Sequence, residues 1–215
     1  MRPKRQARAD RDGPAMRQRL LDAAVECLIE LGVAGTTTLA VQRRTGVSRG
    51  ALLHHFPTHA ALLAASVAEL VKRNERAVAS SRAVGSELDD PLRAAVSALA
   101  YAGRQPAHLA ELELWTVSRT DRPLKQALIS AERAARGESD RVSADLFKPW
   151  AVSHSYDDMV ALTQHFVRGL AVSENLRSSA ARRERLISAW TDAMRLMLEK
   201  ESKRDARAGD ATKLR

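Results

Sequence analysis

Between Thr36 and Pro57 two short helical runs stand on either side of Gly46, each preceded by a hydroxyl residue. Thr37 or Thr38 suits the cap of the first run and Ser48 the cap of the second, because a hydroxyl oxygen accepts from a backbone amide that the first helical turn leaves without a partner. Gly46 makes the turn and Pro57 ends the second run. A helix predicted over residues 14–31 precedes them: Pro14 suits its first turn, Met16, Leu20, Ala24, Cys27, Leu28 and Leu31 recur at helical spacing, and Gly32 stops it. With Val41, Val47, Leu52 and Phe56 turned inward against Leu20, Ala24 and Leu28, residues 14–60 read as a three-helix helix-turn-helix domain.

Downstream the helical period continues and strand-like alternation is missing. A fourth helix, capped by Thr58, is predicted to run to about residue 82, ahead of the breaker Val84-Gly85-Ser86. Further helices are expected over 91–102, 109–117 and 124–146, the last kinked or broken at Gly137. A loop over 148–155 leads to two long helices, 156–176 and 180–200. The expected fold is therefore all-α with about nine helices, the helix-turn-helix domain being followed by a helical regulatory and dimerisation domain over 61–204. Residues 1–13 and 205–215 read as a disordered basic arm and a disordered tail, since neither has an apolar stripe to bury.

A chain of 215 residues buries about 70% of its unfolded surface and needs no staple. Its single cysteine, Cys27, lies on an apolar helix face and reads as core. The formal charge of +9 points to an anionic partner, and its distribution is more informative than its size. Residues 1–59 hold ten Lys/Arg against five Asp/Glu and 200–215 hold six against three, whereas 60–199 hold nineteen against eighteen. No apolar window suits secretion or membrane spanning, so a soluble cytoplasmic protein with no membrane partner is expected.

The outward face of the third helix begins with Arg49, Gly50 and Ala51 and returns at Leu53, His54 and His55. This is the part of a recognition helix that meets base edges in the major groove of double-stranded DNA. Arg49 can bond guanine O6 and N7, which discriminates by about 1–3 kcal/mol. Gly50 and Ala51 let the backbone approach closely. Thr37 and Thr38 offer hydroxyls and free amides to a phosphate at the positive end of the second helix. Arg43 and Arg44 read either as a solvated face or as phosphate contacts, and Arg2, Lys4, Arg5, Arg8 and Arg11 either as a solubilising tail or as a flexible groove reader.

Taken together, Leu21-Asp22-Ala23-Ala24, Gly32, Thr36-Thr37, Gly46 to Leu52, His54-His55-Phe56-Pro57 and Ala61-Leu62-Leu63 resemble the TetR family of bacterial transcriptional regulators over about residues 15–65. Three positions depart from the usual pattern. Leu53 stands where members commonly carry a tyrosine on a phosphate, His59 where a lysine often clamps another, and Ala60 where an acidic residue is frequent. The resemblance thus implies DNA binding that is weaker or more salt-sensitive than typical unless Arg43, Arg44 or the basic arm compensates.

What the resemblance implies for the second domain is a homodimer and a repressor released from a palindromic operator when a small, lipophilic ligand binds. Val160, Thr163, Val167 and Leu170 form one stripe and Leu186, Trp190, Ala193 and Met197 another, suited either to a four-helix dimer bundle or to the chain's own core. Candidate ligand-lining residues are Tyr101, His108, Trp115, Arg119, Phe147, His165 and Phe166. A regulator answering to a protein partner, or activating transcription without a ligand, is the alternative. No catalytic constellation, metal-ligand spacing or cofactor motif stands out, and an all-helical enzyme is the remote reading. Adjacent His54 and His55 diverge around the helix and are not expected to share a metal.

Overall fold

The computed structural model describes residues 3–85 and 89–213, with side chains over 13–81, 89–135 and 140–204. Nine α-helices follow in order: α1 (Pro3–Gly35), α2 (Thr38–Thr45), α3 (Arg49–His55), α4 (His59–Gly85), α5 (Pro91–Gly103), α6 (Pro106–Ser118), α7 (Arg122–Phe147), α8 (Tyr156–Glu174) and α9 (Ala180–Lys213). A 3-10 turn at Lys148–Trp150 lies between α7 and α8. Among the described residues there is no strand, and no helix is long and apolar enough to cross a membrane.

Several boundaries move from their expected places. Helix α1 starts at Pro3, with Pro14 inside it. Residues of high helix propensity between these prolines, Lys4, Arg5, Gln6, Ala7 and Arg8, extend the helix beyond its apolar stripe. The arm expected over 1–13 is thus helical from Pro3, while Met1 and Arg2 lie outside the described residues, as do Ser86 of the expected breaker and Leu214 and Arg215 of the expected tail. The same propensity carries α9 to Lys213 and takes α7 past Gly137 without the expected break. Caps are where local chemistry asks for them: Thr58 Oγ1 accepts from the Ala61 amide, Asp90 Oδ1 from Arg93 and Asp121 Oδ1 from Leu124.

The chain forms two compact units. One comprises residues 1–74 and 105–138, the other 75–104 and 139–215. In the first unit α1 is apolar on two faces. Leu20, Leu21, Ala24 and Cys27 pack with Val41, Leu52, Phe56 and Leu62 as the core of the helix-turn-helix. Val25, Leu28 and Val33 instead join Val67 and Leu70 of α4, Ala110 and Leu114 of α6, and Leu124 and Leu128 of α7. Leu28, expected against the helix-turn-helix, belongs to this second cluster. Burial pushes the Cys27 thiol up from its ordinary value, and the residue serves as packing. The second unit has its own core, built from Leu92, Val96, Phe147, Met159, Leu170, Ile187 and Met194 among others.

Candidate nucleic-acid interface

Helix α2 is short, and its ends are held by its neighbours in sequence. Thr37, in extended backbone, accepts from the Ala40 amide at 3.1 Å, and Gly46 closes the other end at φ 71° with its N–H on the Gln42 carbonyl at 2.8 Å. Two residues on, Ser48 Oγ accepts from the Ala51 amide at 3.2 Å and starts α3. Val41 and Leu52 are fully buried and Phe56 nearly so, which fixes the rotation of both helices. Arg49, Gly50 and His54 are left exposed, with Ala51, Leu53 and His55 half-buried beside them. A side chain built at Gly50 would meet only Ser48 Oγ, at 4.0 Å, so the backbone there is open to a close-approaching partner.

The flanking groups divide into those left available and those already engaged. Arg43 is exposed, and neither it nor Arg49 carries an ion pair among the described residues. Arg44 is engaged: Nη1 donates to Glu30 Oε1 at 3.1 Å and Nη2 to Oε2, a fork-to-fork pair that holds the Glu30 carboxyl below its ordinary range. Arg44, read from the sequence as either a solvated face or a phosphate contact, thus ties α2 to α1 in this structure. Leu53 packs against the helix-turn-helix core. His59, the first residue of α4, is tied too; its Nε2 lies 2.5 Å from the Thr36 carbonyl, to which the imidazole must donate because a carbonyl only accepts. His54 and His55 meet edge to face, 5.2 Å between ring centroids.

Three groups not foreseen in the sequence also hold the site. Arg19 on α1 donates to the Thr45 carbonyl at the end of α2, at 3.2 Å. Arg17 lies 5.1 Å above the Phe56 ring. Arg73 on α4 binds Glu26 on α1 at 2.7 Å. Their partners, Thr45, Phe56 and Glu26, lie 26 to 47 residues away, so nothing local in the sequence marks them.

Candidate ligand-lining residues divide between the units. In the first, Trp115 donates to Glu132 Oε1 at 2.5 Å, His108 Nδ1 lies 3.7 Å from Glu111 Oε2, and Arg119 is exposed. In the second, Phe147 is fully buried in the core, Phe166 stacks on Trp190 at 6.0 Å, and Tyr101 and His165 are exposed. The expected dimer stripe on α8 is corrected: Thr163, Val167 and Leu170 are buried in the chain's own core, and Thr163 Oγ1 accepts from Trp190 Nε1 at 2.9 Å. Val160, Leu186, Trp190 and Met197 are half-buried around that core, and Ala193 is half-buried too. The outward face of these helices is a different set, Leu162, Gly169 and Val172 on α8 with Leu196 on α9, and Leu176 is exposed in the turn after α8.

A buried scaffold that presents one short helix by its N-terminal turn is a helix-turn-helix. Residues 20–66 match the model of the bacterial regulatory proteins of the tetR family. It is 32% identical over 110 residues to an uncharacterized HTH-type transcriptional regulator of Mycobacterium tuberculosis, a match covering 51% of this chain and 56% of that protein. The chain thus spans about half the length of the curated relatives it matches. Among solved structures it resembles a transcriptional regulator from Rhodococcus sp. Rha1 (TM-score 0.59, 21% identity, 86% of this chain and 96% of that one). It also resembles the multidrug binding protein EbrR, solved with imidazole (TM-score 0.57, 18% identity, 82% and 93%). At these identities the structures establish a shared fold.

Proposed function

We propose that this protein is a sequence-specific DNA-binding transcriptional regulator that works as a two-fold dimer in the cytoplasm. The observation that carries the reading is the division of α3 into a buried anchor, Leu52, and an exposed reading edge, Arg49, Gly50 and His54. One such helix contacts too few base pairs to be selective, so two copies on half-sites about 34–36 Å apart, or a multiple of this, supply the specificity. Leu162, Val172 and Leu196, with Leu176 just after α8, give α8 and α9 an exposed apolar face suited to the second copy. Repression, with release by a small lipophilic molecule, is the finer reading. It is supported by the fold shared with a protein described as multidrug binding.

Selection of duplexes from random DNA, followed by footprinting, tests this. A palindromic site is the expected result, and no preference above non-specific binding at about 150 mM salt would sink the regulator reading. Within that assay Arg49→Ala relaxes specificity at one base position per half-site, by about 1–3 kcal/mol. Arg43→Ala weakens all sequences alike. A ligand screen that shifts the melting temperature but releases no DNA would remove the ligand-release half of the proposal.

A further inference from the structure

Gly32 interrupts α1 with φ 69° and ψ −177°, a backbone region essentially reserved for glycine. The extended ψ carries the next peptide off the helical path, and there the Val33 N–H donates to Glu113 Oε1 of α6 at 2.9 Å. The carboxylate also lies against Gly32 itself: a Cβ at that position would sit 2.9 Å from Oε1 and 3.0 Å from Oε2. An anion at the end of a helix opposes the helix dipole, so the contact is not explained by general electrostatics. It is a directed bond to one amide. From Gly32 the bonding continues towards the DNA-binding helices. The Gly32 carbonyl accepts from the Thr36 amide at 3.1 Å and the Thr36 hydroxyl at 2.7 Å, Thr36 is fully buried, and its own carbonyl takes the bond from His59 at the start of α4. The next residue, Thr37, caps α2.

We propose that Glu113 is a positioning residue for DNA recognition: from α6, outside the segment that matches the family domain, its carboxylate holds the Gly32 turn and so sets where α2 and α3 begin. The inference rests on the regulator reading and assigns it a point of control. Any shift of α6 that withdraws the carboxylate leaves the Val33 amide without its acceptor and loosens the Thr36 junction, while the buried anchors Val41 and Leu52 stay in place. DNA affinity then changes without unfolding of the domain.

Reach and charge are separable at this position. Glu113→Gln keeps the reach and an acceptor oxygen but loses the charge, whereas Glu113→Asp keeps the charge but is one methylene too short. On the full chain, Glu113→Asp and Glu113→Ala are expected to lower affinity for a duplex selected by the wild-type protein about tenfold, and to raise amide exchange at Val33 and Thr36 by a similar factor, with Glu113→Gln within about threefold of wild type. Amides of the buried anchors Val41 and Leu52, in the same unit, report that each variant is folded. Folded Asp and Ala variants with wild-type affinity, or unchanged exchange at Val33 and Thr36, would overturn the proposal, as would a Gln variant as impaired as Asp. A wild-type protein that selects no duplex sinks the regulator reading and the recognition role with it. The exchange arm then still decides whether Glu113 holds the turn.

Discussion

Arg44 on α2 grips the carboxylate of Glu30 on α1 with both terminal nitrogens. The pair is open to solvent, so its direct contribution to stability is small. What it does is keep one of the domain's cations occupied. Glu30→Gln is expected to free Arg44, raise affinity for random duplex DNA and steepen the salt dependence of binding by about one phosphate contact. An unchanged salt slope in a binding titration would show that the pair does not withhold Arg44 from the backbone.

Gly32 and Gly46 both have positive φ, but they differ in surroundings. At Gly46 a Cβ has open space and the backbone is ordinary left-handed, so Gly46→Ala should cost about 1–2 kcal/mol and Gly46→Asn less. Gly32→Ala meets both the strained ψ and the Glu113 carboxylate, and should cost more than Gly46→Ala; Gly32→Asn should not relieve it. Chemical denaturation of the four variants gives the comparison. Equal losses at the two sites would contradict it.

Glu201 on α9 accepts from the Ser153 hydroxyl at 2.6 Å, from the Ser155 amide at 3.3 Å and from His154, binding the loop that leads into α8. These bonds, the Ser153 hydroxyl first, hold its carboxyl down from 4.5 to about 2. A carboxylate with a depressed folded-state pKa stabilises the fold above its unfolded pKa, and that contribution is lost as pH falls towards 2. Glu201→Gln should therefore lower the melting temperature at neutral pH and flatten its fall between about pH 4.5 and 2. Parallel wild-type and variant curves would exclude the mechanism.

Leu176 is 91% exposed and Leu196 65%, an arrangement that suits burial against a second copy. Leu196→Glu combined with Leu162→Glu should shift the mass measured by sedimentation from dimer towards monomer and lower affinity for a palindrome. Thr163→Val acts elsewhere. It leaves the Trp190 N–H without its acceptor and should cost about 1–3 kcal/mol of stability with the dimer unaltered. If Thr163→Val dissociates the dimer and the glutamates do not, the interface lies on the other face.

The short-range features of the DNA-binding segment were legible because their causes lie within four residues. Thr37, Gly46, Ser48 and Thr58 each act on an amide or carbonyl one helical turn away, and the structure finds them capping or turning as their chemistry requires. Helix ends set by propensity alone were less so: nothing in α1, α7 or α9 distinguishes a helix that stops from one that continues as a solvated rod. The role of Arg44 was ambiguous for a related reason, since its partner Glu30 is 14 residues away on another helix.

By itself the sequence determined an all-helical chain, a helix-turn-helix with Arg49, Gly50 and His54 on its open edge, and a resemblance to the tetR family over about residues 15–65. Those properties follow from apolar period and local capping, which any window of the chain carries within it. Tertiary structure alone decided which apolar stripe of α8 faces inward, placing Thr163, Val167 and Leu170 in the core and Leu162 and Val172 outside. It alone brought Glu113 to Val33 across 80 residues of chain. Periodicity reports that a helix has an apolar side; only the packing of helices against one another decides what that side, and each carboxylate beside it, will meet.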